Sequence, residues 1–396
     1  MADKKQIGKL GFGFMRLPRV NGTDHYDEDE INQMVDCFMD AGFTYFDTAY
    51  VYDNGHSEEE LKKALVDRYP RDRYTIATKL NVGIKECTTA EFARGELQTS
   101  LERLGCSFID YYLLHAVQTE NIDKFDSFQL WDFIEEQKAK GVIREVGFSF
   151  HDTPEMLDEL LTKHPDVDFV QLQLNYADWE NPHVQSHGIY EVARKHGKPI
   201  VVMEPVKGGL LANPPVAIRE LFQKEEPDAS PASFAIRFVA SLPGIRTVLS
   251  GMSTLEQVQD NVSYMKDFNP LSQKENELIE EARKILDAQE SIPCTGCRYC
   301  VKGCPEFIPI PDIFSACNRL LVFENKESAR REYKDALNQI VKPEVFSNMV
   351  FIPETKNAIQ HVGNPSDCIH CRQCEAACPQ HLPITQLLQK AAAMLE

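Results

Sequence analysis

Eight of the chain's twelve cysteines fall in two runs of one pattern, C-x2-C-x2-C-x3-C-P. The first run is Cys294, Cys297, Cys300 and Cys304 followed by Pro305; the second is Cys368, Cys371, Cys374 and Cys378 followed by Pro379. Three thiolates in this step embrace one corner of an iron–sulfur cubane, and the trailing proline turns the chain away and removes a backbone donor. Zinc is the rival, since paired C-x2-C also makes tetrahedral sites. Each run here has a third cysteine in step and a proline behind it, which favours [4Fe–4S]. The other four cysteines, Cys37, Cys87, Cys106 and Cys317, are scattered, so this is not the dense disulfide framework of a small secreted domain.

The two runs resemble those of two-cluster bacterial ferredoxins. The resemblance implies two [4Fe–4S] clusters on eight cysteine ligands, the fourth cysteine of each run serving the other cluster. Between Cys304 and Cys368 lie 63 residues, more than in a minimal ferredoxin, so the sequence leaves that exchange open.

A chain of 396 residues, 43% of them apolar, is long enough for two domains with a sizeable core. No apolar run approaches a membrane span, and Met-Ala-Asp-Lys-Lys-Gln-Ile-Gly has no secretory h-region. Thiolate clusters without an export signal point to a reducing, cytoplasmic setting. A net charge of −19 argues against nucleic acid as a partner, because phosphate binding needs a basic face.

Before the cysteine runs, short β-branched or aromatic stretches alternate with amphipathic ones. Strands are expected at Thr44–Asp47, Tyr74–Lys79, Ile109–His115, Val142–Ser149, Phe169–Leu174, Pro199–Met203 and Thr247–Ser250. Each is followed by a helical face, such as Leu130–Ala139 after Ile109–His115 or Leu255–Tyr264 after Thr247–Ser250, and the helical face Ile31–Ala41 precedes the first. An eighth strand near Gly8–Met15 completes the set, unless Leu10–Met15 forms a lid hairpin over the barrel bottom. Strict βα alternation over this length predicts an α/β fold, a (β/α)8 TIM barrel over residues 1–288. An open doubly wound sheet is the alternative, although Gly8, Gly11 and Gly13 do not match the dinucleotide fingerprint in spacing. Ser272 and Glu275 form a capping box for a closing helix. A small ferredoxin-like iron–sulfur domain with extra helices is expected over 289–396, with a charged helix at Ser328–Ile340 and a loop-rich stretch at Val341–Gly363.

Catalysis in such a barrel sits at the C-terminal ends of the strands. Those ends offer Asp47, with Tyr52 just beyond it, then Lys79 and His115. A carboxylate, a phenol, an amine and an imidazole thus converge on one rim. The segments Phe46-Asp47-Thr48-Ala49-Tyr50-Val51-Tyr52, Thr78-Lys79 and Tyr112-Leu113-Leu114-His115 resemble the Asp/Tyr/Lys/His tetrad of the aldo/keto reductases, a likeness that covers roughly residues 6–288. The whole resembles the ferredoxin-bearing branch of that family. It implies an oxidoreductase in which Tyr52 is the proton donor, Lys79 lowers its pKa, Asp47 keeps Lys79 charged and His115 orients a carbonyl. A free phenol titrates near 10, and an ammonium about 4 Å away stabilises its anion by about 4 kcal/mol at an effective dielectric of about 20.

The resemblance also implies NAD(P)H, that is NADH or NADPH, as a cofactor. Ser149 and Gln171 match positions that hold the nicotinamide carboxamide, while Phe150 replaces the family's Asn. Met203 stands where a Tyr commonly stacks on the ring. Gly251, Gln257 and Asn261 lie in a segment resembling the adenine and 2′-phosphate site, with Gln257 in place of a frequent Arg. A neutral Gln makes no charge-assisted bidentate contact with phosphate. The implied reaction joins a small-molecule carbonyl or alcohol substrate to NAD(P)H, with the clusters exchanging electrons with ferredoxin or another redox partner. Two other readings stay open: a ferredoxin-driven reductase working without hydride transfer, and an electron-transfer module with a non-catalytic barrel. Cys37 and Cys106 read as core residues, and His370 and His381 as neighbours of ligands rather than ligands.

Overall fold

The computed structural model describes residues 8–20, 23, 25–181, 184–288, 290–323, 326–338 and 362–396. Its strands are β1 (Leu10–Gly13), β2 (Tyr45–Asp47), β3 (Thr75–Leu80), β4 (Ile109–Val117), β5 (Ile143–Phe150), β6 (Phe169–Gln173), β7 (Ile200–Met203) and β8 (Ile245–Ser250). All run parallel and close in chain order into one barrel. Strand β1 pairs with both β2 and β8, so Leu10–Gly13 is a barrel strand and not a lid. Closure also removes the open-sheet alternative.

The strands are buried almost throughout, as parallel strands covered on both faces must be. Inside the barrel, Tyr45, Ala77, Tyr111, Leu113, Phe169, Val201 and Leu249 pack together, with Tyr45 stacked on Tyr111 at 4.9 Å between ring centres. Outside, helix α1 (Glu28–Asp40) starts at Asp27, whose carboxylate accepts from Glu30 N, and buries Ile31, Met34, Val35, Phe38 and Met39. This is the apolar face the sequence pattern predicts. The Phe38 ring meets Phe12 and Phe46 edge-on.

Helices α2 (His56–Leu61), α3 (Ala90–Leu104), α4 (Ile122–Ser127), α5 (Leu130–Ala139), α6 (Pro154–Lys163), α7 (Ser186–Lys195), α8 (Val216–Glu225), α9 (Pro231–Ser241) and α10 (Leu255–Met265) follow. Cys106, expected in the core, lies beyond the left-handed C-cap Gly105 of α3 and is only half-buried, like Cys37. Helix α11 (Gln273–Asp287) carries the anticipated capping box: Glu275 N donates to Ser272 Oγ and Ser272 N to Glu275 Oε2.

The chain divides into two compact units. One comprises Met1–Val206 and Asp228–Ile279; the other comprises Lys207–Pro227 and Glu280–Glu396. The second has its own core, built from Ile308, Ile310, Ile313, Phe314, Cys317, Ile384 and Leu388 around four of the run cysteines. Its helices include α8, α12 (Ile310–Phe323), α13 (Lys326–Leu337) and the C-terminal helix Ile384–Leu395. The charged helix expected at Ser328–Ile340 corresponds to α13; positions 341–361 of the expected loop lie outside the described residues. Among the described residues no helix is long and apolar enough to cross a membrane.

Candidate active site and cysteine pockets

The barrel brings Asp47, Tyr52, Lys79 and His115 together at one rim. Asp47 is the last residue of β2, and the chain then runs through Thr48–Val51 into a tight turn that begins at Tyr52. Lys79 is completely buried, and its three N–H donors have three acceptors: Asp47 Oδ1 at 2.6 Å, Thr48 O at 2.7 Å and Tyr52 Oη at 3.4 Å. The Tyr52 and His115 rings stand edge to face at 5.6 Å.

Burial pushes Asp47 up and Lys79 down, and their mutual attraction opposes both shifts. The Tyr52 phenol lies well above its ordinary value, through desolvation first and then the negative charges of Asp47 and Glu204. The expected depression by Lys79 is therefore not met. Removing the phenolate from water is the largest cause of the upward shift, and the Arg16 charge opposes it only in part.

Further along the rim, Ser149 and Gln171 face each other across the β5–β6 ladder. Ser149 Oγ accepts from Ala116 N at 2.7 Å. Gln171 Nε2 lies 3.6 Å from Met203 Sδ, whereas its Oε1 is buried without a partner. A buried orphan acceptor beside a hydroxyl suits a carboxamide N–H. Asn261 turns inward instead: its Nδ2 donates to Ser250 Oγ and its Oδ1 accepts from Tyr264 Oη, tying α10 to β8. Gly251 and Gln257 are exposed, and Gln257 Oε1 accepts from Ser253 N. At the start of α10, Leu255 N donates to the Glu30 carboxylate at 3.1 Å, which places a negative charge at that end.

Sequence reasoning missed the polar groups behind the tetrad. Glu58 is buried, accepting from Thr78 Oγ1 and paired with Arg103; Glu96, also buried, accepts from Asn81 N at 2.7 Å. Desolvation raises Glu96 to about 8. These residues sit on helices whose charge patterns look like solvated faces, so no local signal marks them.

In the second unit the cysteines gather in two pockets. Cys294, Cys297 and Cys300 line one with Cys378, while Cys368, Cys371 and Cys374 line the other with Cys304. The fourth cysteine of each run has crossed to the other's pocket. Four thiols round one apolar pocket match the donor set of a [4Fe–4S] cubane. Burial pushes the Cys294 and Cys374 thiols up to about 12 and Cys300 higher. Lys207 is buried in this unit, its Nζ 3.3 Å from Gln380 Oε1. Its neighbour Gly208 has φ +63°, and a Cβ there would meet Thr295 O at 2.2 Å, so only glycine lets this turn approach the first run.

Residues 9–284 match the aldo/keto reductase family, and residues 286–379 match the 4Fe-4S dicluster domain. An oxidoreductase of Bacillus subtilis is 27% identical over 290 residues, spanning 65% of this chain and 86% of that one. L-galactose dehydrogenase of Arabidopsis thaliana is 24% identical over 321 residues, 72% of this chain and 93% of that protein. The holo form of an aldo-keto reductase from Bacillus halodurans superposes with a TM-score of 0.57 at 25% identity, over 70% of this chain and 92% of that one. An aldo/keto reductase of Klebsiella pneumoniae, solved with NADP and acetate, shares the fold at 20% identity and a TM-score of 0.54, over 69% and 91% of the two chains. With the barrel closed, four polar residues gathered on its rim and the cysteines paired across two runs, the chain belongs to the aldo/keto reductase family, an oxidoreductase that carries a C-terminal 4Fe-4S dicluster domain.

Proposed function

We propose that the barrel interconverts a small-molecule carbonyl and its alcohol with NADH or NADPH, and that the dicluster domain exchanges electrons with a redox partner such as a ferredoxin. The observation that carries this reading is the Lys79 ammonium, which donates to both Asp47 and Tyr52. Tyr52 keeps its proton until a carbonyl oxygen beside it gains charge. It then donates, and the phenolate left behind sits against Lys79. That contact strengthens as the reaction proceeds, which is what lowers a barrier. Asp47 holds Lys79 in place, and His115 orients the substrate oxygen from the other side.

Ser149 and Gln171 would hold the nicotinamide carboxamide, with Met203 alongside and Gly251, Gln257 and Asn261 in the segment nearest the adenine end. A bound nicotinamide would supply the hydride. The orphan Oε1 of Gln171 supports this assignment. The crossed cysteine sets would hold two [4Fe–4S] clusters, which would pass single electrons.

Glu30 at the start of α10 and the neutral Gln257 disfavour a 2′-phosphate, so NADH is the preferred nucleotide. The test is an anaerobic titration of reconstituted protein with NADH and then NADPH, following nicotinamide fluorescence and cluster absorbance. NADH bound with the clusters still oxidised is the expected result. No binding of either nucleotide, with clusters reducible by dithionite, would overturn the hydride reading in favour of a cluster-driven reductase.

A further inference from the structure

Asn81 follows β3 directly, two residues after Lys79. Its side-chain Oδ1 accepts from Gly83 N at 2.7 Å and from Ile84 N at 3.2 Å. Its own backbone N–H is anchored on Glu96 Oε2 at 2.7 Å. An oxygen that takes two backbone donors fixes which way the amide faces, because the NH2 group in its place would meet N–H against N–H. The Nδ2 end therefore points the other way, and it lies 3.2 Å from His115 Nδ1.

An amide NH2 donates and does not accept, so His115 Nδ1 must be the acceptor in this bond. A neutral imidazole carries one proton, and with Nδ1 as acceptor that proton sits on Nε2. We infer that Asn81 is a positioning residue that locks His115 in its Nε2–H tautomer. The chain of constraint runs from the turn Asn81–Ile84, through an amide that cannot flip, to one proton on one ring. Resting on the carbonyl reading above, this makes His115 a hydrogen-bond donor toward a substrate oxygen, beside the proton-bearing Tyr52. In the opposite tautomer Nε2 would present a lone pair, which repels a carbonyl oxygen. The lock thus biases the site toward oxygen acceptors before any substrate arrives.

The decisive experiment is 15N NMR of the full-length, cluster-loaded protein with 15N-labelled histidine. The signal of His115, one of 11 histidines, is assigned by its loss in His115→Gln. The wild-type ring is expected to show a protonated Nε2 and an unprotonated Nδ1. In Asn81→Asp a carboxylate keeps the contacts to Gly83 and Ile84 but presents an acceptor to the ring. Nδ1 should then become protonated, whether the ring stays neutral or gains a second proton. A wild-type ring protonated on Nδ1 would overturn the inference, and this holds even if the variant fails to fold. An unchanged ring in a folded Asn81→Asp protein would overturn it too.

Turnover of 4-nitrobenzaldehyde with NADH separates this inference from the carbonyl reading. Where the Asn81→Asp ring stays neutral, kcat should fall by about 100-fold, the usual cost of losing one oxygen-directed donor, with KM little changed; a doubly protonated ring keeps its Nε2 donor and should keep kcat within a few-fold. Tyr52→Phe should abolish turnover while leaving the His115 tautomer as in wild type. The expected tautomer in a wild-type protein that does not reduce the aldehyde would leave the lock standing and count against the carbonyl reading alone.

Discussion

In the barrel, Asp47, Lys79 and His115 stand on three different strands and Tyr52 on a loop, so their meeting depends on closure of the whole sheet. In the second unit, six of the eight pocket cysteines reach their places from within two short stretches, and only Cys304 and Cys378 cross over. The barrel site is thus global in origin but local in its chemistry, since one side chain can be removed while the frame stays. The cysteine site is local in origin but shared in its integrity, because each pocket depends on both runs.

The largest effect should come from Tyr52→Phe. Turnover is expected to be abolished, a fall of at least about 1,000-fold, with iron content and cluster absorbance unchanged. Activity within a few-fold of wild type would remove Tyr52 as proton donor and blur the separation between the two regions.

Cys378→Ala breaks the other side of the comparison. It takes the fourth thiol from the pocket of Cys294, Cys297 and Cys300, so the first run should lose its cluster and the iron per chain should drop by about half. Loss from the pocket of Cys368, Cys371 and Cys374 instead, read by following with Cys297→Ala, would mean the runs do not cross.

A smaller effect concerns pH. Glu96, raised from 4.5 to about 8 in the folded chain, binds more protons there than in the unfolded chain between those values. Barrel stability should therefore be greatest below about 4.5 as far as this group is concerned, and decline as pH rises through 8. Glu96→Gln should flatten that decline. Urea unfolding at pH 5, 7 and 8.5 measures it, because both tryptophans, Trp131 and Trp179, lie in the barrel unit. An unchanged slope would show that Glu96 is charged in the fold.

The smallest change expected is in nucleotide choice. Gln257→Arg should tighten NADPH by about tenfold, worth about 1.4 kcal/mol, with NADH little affected. Equal gains for both nucleotides would mean position 257 does not face the 2′-phosphate.

Much of this was legible before any fold was in hand. The strand positions follow from β-branched and aromatic runs, and the helices from their caps and apolar faces, because both depend on neighbours a few residues away. Leu130–Ala139 is helical over the span that its apolar pattern predicts. Asp47, Lys79 and His115 could be placed by noting which polar residues fall at or within two residues of the ends of consecutive strands, with Tyr52 in the turn after the first of them. Helix α8, by contrast, lies with Lys207–Pro227 in the second unit, and no linear pattern announces that membership.

By itself, then, the sequence determined the element order, the eight thiols and the four polar rim residues, since all of these are written in local spacing. Only the tertiary structure decided that Leu10–Gly13 closes the barrel, that Cys304 and Cys378 trade pockets, and that burial pushes the Tyr52 phenol up. It also decided that Asn261 is spent on Ser250 and Tyr264. Closure, ligand exchange, desolvation and hydrogen-bond saturation all arise between residues far apart in the chain. They depend on distance in space, and spacing along the chain does not encode it.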